Sequence, residues 1–443
     1  MSRYASDFVC KVLDQIKYKK VHKTIATELD NHIQELAEGY VSAGLEEEEA
    51  YCKAISRMGD PVEIGRRLHK THKPKPEWSI ITLLGVITAC GIFIIFYYAS
   101  LFSAPEVLRR QLQLVLAGIP LLCFFYFFDY TKLEKFTLPV FYLTCILLLM
   151  AIFFGGERNG RACLFIGNLA FTPSFSVLPL ILICFAGLVK RWCDGDTLNL
   201  LKLIGSAGLP LLIILMEPSL AYFFIVGTGL LVMITYGICT NQIFKASRKK
   251  TLLVLYACLF GLGLLLFIHF FGFQPWRIER VTVFLNPEKD PQGGGWTYTI
   301  IDKIIASAKF IGNDGSFSII GENNTSMLPE ANSHFVLVFV IGSLGWSFGI
   351  VLIVLLSLII FRLFLAAGKI RHSFGKYMCI GICCVFSLQV IANVLMSLRL
   401  FPAFSVPLPF ISYGGDGFLL NTALIGLFLG VYRRKDIIVD VQD

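Results

Sequence analysis

Residues 402–415 read Pro402-Ala403-Phe404-Ser405-Val406-Pro407-Leu408-Pro409-Phe410-Ile411-Ser412-Tyr413-Gly414-Gly415, directly before the last apolar stretch of a strongly apolar chain. Three prolines in so short a run cannot continue a helix, because each lacks an N–H and its ring clashes with the preceding turn. Non-helical backbone at membrane depth persists only where protein or a watery cavity shields it. The segment therefore reads as a re-entrant or cavity-lining turn rather than a plain loop.

Working outward, the 443-residue chain is 56% hydrophobic, 14% aromatic and only 16% charged, with a mean hydropathy of +0.69. That composition excludes a soluble globule. Apolar runs of about 18–23 residues match the bilayer thickness. Ten spans are predicted, over residues 78–98, 110–128, 136–154, 174–190, 199–216, 219–238, 251–271, 335–365, 377–398 and 413–432. The fold class expected is all-α, a polytopic membrane protein preceded by a small helical domain. The first 77 residues are polar and carry no cleavable-signal pattern.

Lysine and arginine in short loops set the orientation. Lys132, Lys135, Lys190, Arg191, Lys245, Arg248, Lys249, Lys250, Lys369, Arg371, Lys376 and Arg433-Arg434-Lys435 fall on one side; Arg109, Arg110, Arg158 and Arg161 fall on the other. Both termini are predicted to be cytoplasmic, with a long loop, residues 272–334, outside. The net charge of +8 reflects this bias and gives no reason to expect nucleic-acid binding. Of thirteen cysteines most lie in apolar spans, with Cys163 alone expected outside, so a disulfide framework is not expected.

Residues 1–77 read as a separate helical prefix and linker, 78–435 as the membrane domain and 436–443 as a cytoplasmic tail. Apolar positions at helical spacing (Phe8, Val12, Leu13, Ile16, Ile25, Leu29, Ile33, Leu36) predict one helix over 5–40. Gly44 closes it, a second helix follows the acids at 46–49, and a third follows the break at Gly59-Asp60-Pro61. Residues 73–76, Lys-Pro-Lys-Pro, form a stiff linker. The pattern is similar to the helical prefix modules of some bacterial permeases and signalling proteins; a solvated helical hairpin without a partner is the plain alternative.

The large loop carries Arg277-Ile278-Glu279-Arg280, Phe284-Leu285-Asn286-Pro287, a Gly293-Gly294-Gly295-Trp296 turn and Gly312-Asn313-Asp314-Gly315. It ends Leu328-Pro329-Glu330-Ala331-Asn332-Ser333-His334-Phe335. This order, together with the 402–415 run, resembles the SEDS family of membrane proteins (the FtsW/RodA/SpoVE relatives). Their signature is P-x-x-G-x-P-L-P-F-I-S-Y-G-G, with L-P-E-x-x-T-D-F after the loop. Ser405 replaces the first Gly of the signature, and the resemblance covers roughly residues 78–435.

The resemblance implies polymerisation of peptidoglycan strands from lipid II on the outer membrane face, beside a class B penicillin-binding protein. A sugar passes from an undecaprenyl diphosphate to an acceptor hydroxyl. That hydroxyl needs a positioned base, and a divalent cation or basic residue would offset the diphosphate charge. No other cofactor is implied. The family assigns the Asp of L-P-E-x-x-T-D-F to the base, and here that position is His334. A histidine can also accept a proton near neutral pH. Glu330 reads as a second base or diphosphate neighbour, or as an acid favoured at a helix N-terminus. Arg277 and Arg280 are the candidate diphosphate contacts, against ordinary interfacial snorkelling. Pro407, Pro409, Ser412, Tyr413, Gly414, Gly415 and Asp416 are expected to line the substrate site. Gln389 and Asn393 read as amides that hold helices together.

Other family positions have lost polar groups: Thr172-Pro173-Ser174-Phe175, Pro218-Ser219-Leu220-Ala221-Tyr222, Gly160-Arg161-Ala162-Cys163-Leu164, Gly295-Trp296-Thr297 and Gly342-Ser343-Leu344-Gly345. Loop acids Asp290, Asp314 and Glu322 read as solvated. Three function classes follow: a SEDS-type glycosyltransferase, a non-catalytic relative that binds the precursor or a penicillin-binding protein, and a flippase or permease. Transport ranks last, since few charges lie in the spans.

Overall fold

The computed structural model describes residues 3–19, 22–158, 161–166, 169–171, 177–192, 197–216, 220–240, 248–273, 275–321, 324–403 and 406–437. It divides into two compact units, Met1–Pro76 with Arg433–Asp443, and Glu77–Tyr432.

The first unit holds α1 (Arg3–Asp14), α2 (His22–Ser42), α3 (Glu47–Met58) and α4 (Pro61–His72). The single helix expected over 5–40 is two helices. Phe8, Val12 and Ile16 share one core with Ile25, Ile33 and Ala37. A continuous helix would hold those residues apart along one axis, so the chain breaks and folds back. The His22 ring lies 2.7 Å from the Ile16 carbonyl across that break. The other boundaries follow their local chemistry. Gly44 and Gly59 adopt φ of +93° and +94°, and the Asp60 carboxylate accepts from the Val62 and Glu63 amides with Pro61 in the first turn. Ile437 packs against the same core, and Lys75 Nζ lies 3.3 Å from Asp436 Oδ2. Asp436 and Ile437, at the start of the segment read as a cytoplasmic tail, thus make contacts within this unit.

The second unit begins with α5 (Trp78–Leu101), α6 (Pro105–Phe127) and α7 (Thr131–Phe154). A three-stranded antiparallel meander follows: β1 (Gly156–Arg158), β2 (Arg161–Ile166) and β3 (Leu169–Phe171). This small excursion was not legible in the sequence. Its ladders, Gly156 opposite Cys163 and Leu164 opposite Phe171, satisfy the backbone between two membrane helices. Next come α8 (Leu178–Trp192), α9 (Thr197–Met216), α10 (Leu220–Thr240) and α11 (Arg248–Phe273). The loop elements are α12 (Pro275–Leu285), a 3-10 turn (Pro287–Lys289) and α13 (Gly294–Ser307), and the chain ends with α14 (Val336–Leu344), α15 (Trp346–Gly368), α16 (Ser373–Ser397) and α17 (Gly415–Arg433).

Seven described helices, α5, α6, α7, α9, α10, α15 and α16, are long and apolar enough to cross a membrane. Helices α8, α11 and α17 cover the other three predicted spans, with 15, 26 and 19 residues. The run predicted over 335–365 is broken at Gly345, which adopts φ +99°. Only α15 on its far side has the length to span. Helices α8 and α16 are buried nearly all round, by Ile181, Leu182, Phe185, Met378, Cys383 and Phe386 among others, and pack on each other, so they form the centre. Helices α6 and α7 turn Leu116, Phe124, Phe153 and Phe154 outward. In water such a surface would be a liability; in lipid it is the solvent-facing side. At the end of the bundle away from α16's C-terminus, Lys190 Nζ lies 2.9 Å from Glu134 Oε1, joining α7 to α8, and His372 Nδ1 accepts from the Gly375 amide to cap α16.

Replacing Ile437 with Asp should remove an apolar contact worth about 1–2 kcal/mol, since full burial of such a side chain contributes roughly 1.5–3. Hydrogen–deuterium exchange on the full-length protein should show faster exchange in α1–α4 and no change in α5–α10. Unchanged exchange in α1–α4 would mean that the tail adds nothing to this core.

Candidate active site

The 406–413 segment runs non-helically between α16 and α17, as the prolines require. Its polar groups are paired by a few side chains. The Ser412 hydroxyl donates to the Ser333 carbonyl at 2.6 Å and accepts from the Leu408 amide at 2.8 Å. The Tyr413 amide donates to the Asn332 carbonyl at 2.8 Å. On α16, the Asn393 amide donates one hydrogen bond to the His334 carbonyl at 2.8 Å and another to the Val406 carbonyl at 2.7 Å, while its oxygen accepts from Ser397. The turn ending L-P-E-A-N-S-H-F and the proline-rich turn are thus one hydrogen-bonded assembly, although some seventy residues of chain separate them.

Apolar packing fixes the other face. Phe410, at φ +64°, stacks on Phe386 of α16 at 5.8 Å between centroids and meets Phe418 of α17 edge-on at 6.2 Å. Helix α5 approaches so closely at Gly91 that a Cβ there would stand 2.6 Å from the Phe410 carbonyl oxygen. Pro409, Ile411 and Ser412 are buried, while Pro407, Tyr413, Gly414 and Gly415 are partly open.

Arg399 (φ +60°) fastens the large loop to this assembly. Its guanidinium donates to Asp302 Oδ1 at 3.1 Å and to the Phe284 carbonyl at 2.8 Å, and sits 5.2 and 4.9 Å from the Phe284 and Tyr298 rings. The Tyr298 hydroxyl in turn accepts from the Ala403 amide at 3.0 Å. Arg280 stands exposed on α12, the helix whose Phe284 carbonyl Arg399 holds.

Glu330 and His334 meet at the centre. Glu330 Oε2 lies 3.8 Å from His334 Nε2 and accepts a short hydrogen bond from the Ser333 hydroxyl. The side chains are 52% and 21% exposed, so neither is sealed inside the protein. Glu330 is not a helix N-terminal acid, because α14 starts only at Val336; it occupies a tight turn at φ +55°. Three of the five described non-glycine residues with positive φ, Glu330, Arg399 and Phe410, fall in this one assembly. Such conformations cost about 1–3 kcal/mol each and concentrate at functional sites.

Of the residues singled out from sequence, Glu330, His334, Ser412 and Tyr413 come together. Asp290 caps the start of α13 through the Gly294 amide, at 2.6 Å, instead of being merely solvated. Glu322, Ser405, Gly160 and residues 172–175 and 217–219 lie outside the described residues, as do the side chains of Arg277 and Asp416. Among the described residues no group of three or more His, Cys, Asp or Glu could hold a metal ion. Asn393 does more than join helices: it holds both turns, and an amide in an apolar span is the signal in the sequence. Gly91 and Arg399 gave no signal, since their roles are long-range contacts.

Replacing Asn393 with Leu should strand the buried Val406 carbonyl, at about 1–3 kcal/mol, and the half-buried His334 carbonyl at less, and clearly lower the unfolding temperature in detergent. Gln389→Leu on the same helix should cost far less, because the Gln389 Oε1 atom has no described partner to lose. Equal losses would deny Asn393 its special place.

Comparison with known proteins agrees with this architecture. Residues 77–437 match the FtsW/RodA/SpoVE family model, described as cell cycle protein. A probable peptidoglycan glycosyltransferase FtsW of Trichlorobacter lovleyi is 25% identical over 80% of this chain and 93% of its own length. Stage V sporulation protein E of Bacillus subtilis is 25% identical over 82% and 98%. Peptidoglycan glycosyltransferase MrdB of Escherichia coli is 27% identical over 67% and 78%. Among solved structures, a chain from a peptidoglycan synthase complex superposes with a TM-score of 0.66 at 24% identity, covering 81% of this chain and 98% of that one. The rod shape determining protein RodA of Thermus thermophilus gives 0.55 at 20% identity, covering 81% and 97%. Membrane-spanning helices, the paired turns and a family match over most of the chain lead to one conclusion: this integral membrane protein belongs to the FtsW/RodA/SpoVE family of cell cycle proteins.

Proposed function

We propose that the protein is a peptidoglycan glycosyltransferase acting on lipid II, with the Glu330–His334 pair at its reacting centre. The observation that carries this is the 3.8 Å approach of the two side chains, on a turn clamped to the proline-rich signature. Relatives named as peptidoglycan glycosyltransferases support the substrate class. In the transfer, the bond from the sugar's anomeric carbon to the diphosphate breaks as a bond to the acceptor hydroxyl forms. His334 takes the hydroxyl proton, and Glu330 offsets the imidazolium charge. The family's Asp would do both with one group; here a neutral base and a neighbouring carboxylate share the task. Arg280 and Arg277 are assigned to the leaving diphosphate.

The partner class proposed is a class B penicillin-binding protein, which fits a fold neighbour that is part of a peptidoglycan synthase complex. Both termini are placed in the cytoplasm and the 272–334 loop outside, on the asymmetry of basic loop residues. A second reading is supported by the motif resemblance, which puts His334 at the position of the family's Asp. It makes the chain a non-polymerising relative that binds the precursor or the penicillin-binding protein and regulates wall synthesis.

Purified full-length protein with lipid II should yield glycan strands on a gel, and His334→Ala should slow the reaction by about 10²–10⁴-fold, the usual worth of general-base assistance. Strands from His334→Asp but none from the native protein would select the second reading. For orientation, Ser316→Cys in a cysteine-depleted background should react with an impermeant maleimide in intact cells. Reaction only after permeabilisation would invert the topology.

A further inference from the structure

We propose that the turn over residues 309–312 is a membrane anchor, with Phe310 and Ile311 inserted among the acyl chains of the leaflet on the large-loop side. The two side chains are 70% and 72% exposed at the tip of a tight turn. Two adjacent large apolar groups held out in this way need a nonpolar medium.

The turn is rigid. Ala308 and Asn313 form an antiparallel bridge, the Lys309 amide donates to the Gly312 carbonyl at 3.0 Å, and the Asp314 amide donates to the Ser307 carbonyl at 2.9 Å. Just beyond it, the Asp314 carboxylate accepts from the Ser316 hydroxyl and amide, which hold its carboxyl below the usual carboxylate range.

The turn is also tied to the bilayer-crossing part. The Trp346 amide donates to the Lys309 carbonyl at 2.9 Å, and the Ser347 amide to the Phe310 carbonyl at 3.0 Å. The Gly312 amide donates to the Leu344 carbonyl at 2.9 Å, and the Asn313 side chain to the Gly342 carbonyl at 3.2 Å. Gly345 permits this approach, since a Cβ on it would stand 2.6 Å from the Gly312 nitrogen and 2.8 Å from the Phe310 oxygen. The tip is thereby pinned to the first turn of α15, a helix long enough to span, whose exposed side chains include Phe348, Ile350, Val351 and Val354. Those backbone bonds hold the exposed Phe310 and Ile311 next to the first turn of this apolar helix. Lys309, exposed beside them, places an ammonium at headgroup level. The bilayer is the occupant because the exposed tip is bonded to the end of a helix long and apolar enough to cross one. One consequence is positional: the anchor grips both the end of α14 and the start of α15, and so sets the depth of the turn that carries His334. It stands on geometry alone and does not depend on the reaction proposed above.

The test places a photoreactive benzoylphenylalanine at position 310 of the full-length protein in vesicles of phosphatidylethanolamine and phosphatidylglycerol. Reference probes at Val354 and Ser316 mark lipid-facing and aqueous positions. Mass spectrometry should find phospholipid adducts at 310 at a yield close to that at Val354 and about tenfold above Ser316, the ratio expected for one apolar side chain's worth of partitioning. Adducts at 310 to a second copy of the chain, or a yield no higher than at Ser316, would overturn the proposal. Ile311→benzoylphenylalanine repeats the measurement should the first probe disturb the turn.

Discussion

The Ser412 hydroxyl and the Asn393 amide hold together two stretches of non-helical chain that the apolar bundle could not otherwise accommodate. Each unpaired backbone group inside a membrane protein costs several kcal/mol, and the prolines at 407 and 409 remove two donors from the segment's own supply. The remaining groups find partners across the fold: the Leu408 amide on Ser412, the Val406 carbonyl on Asn393, the Tyr413 amide on Asn332. The same bonds fix the Ser333 and His334 carbonyls. Satisfying the backbone and positioning the candidate base are therefore the same event. The close passage of α5 at Gly91 and the stacking of Phe386 on Phe410 then leave the turn little room to move.

The exchange of the family's acid for His334 changes the electrostatics more than the shape. A carboxylate brings negative charge to a centre where positive charge develops, whereas a neutral imidazole brings none. In the reaction proposed above, Glu330 supplies that charge from 3.8 Å away, in a turn where its backbone adopts φ +55°. The Ser333 hydroxyl, donating to the same carboxylate, keeps it in place.

Arg399 and the 309–312 turn tie the large loop to the helices at two separate places. The guanidinium gathers α12, α13 and the end of α16 by charge, hydrogen bonds and ring faces at once. The 309–312 turn is tied instead to the break at Gly345. The small polar unit follows a different logic: its apolar core is small, and Ile437, from far along the chain, packs against it.

By itself the sequence determined the class of the protein, the places of the seven helices long and apolar enough to cross a membrane, and the proline-rich and L-P-E turns, because hydropathy, proline chemistry and motif spacing are local properties. It also placed the helix ends at Gly44 and at Gly59-Asp60-Pro61, where capping and left-handed glycine act within a few residues. Only the tertiary structure decided that α1 and α2 are separate helices, since Phe8 and Ile33 share a core that no single helix could form. Only there does the 335–365 run break at Gly345, where the close approach of residues 310–312 favours a glycine with positive φ over a continuous helix. The pairing of Glu330 with His334, and the roles of Asn393, Gly91 and Arg399, arise from contacts between segments far apart in the chain, whose partners no local pattern encodes.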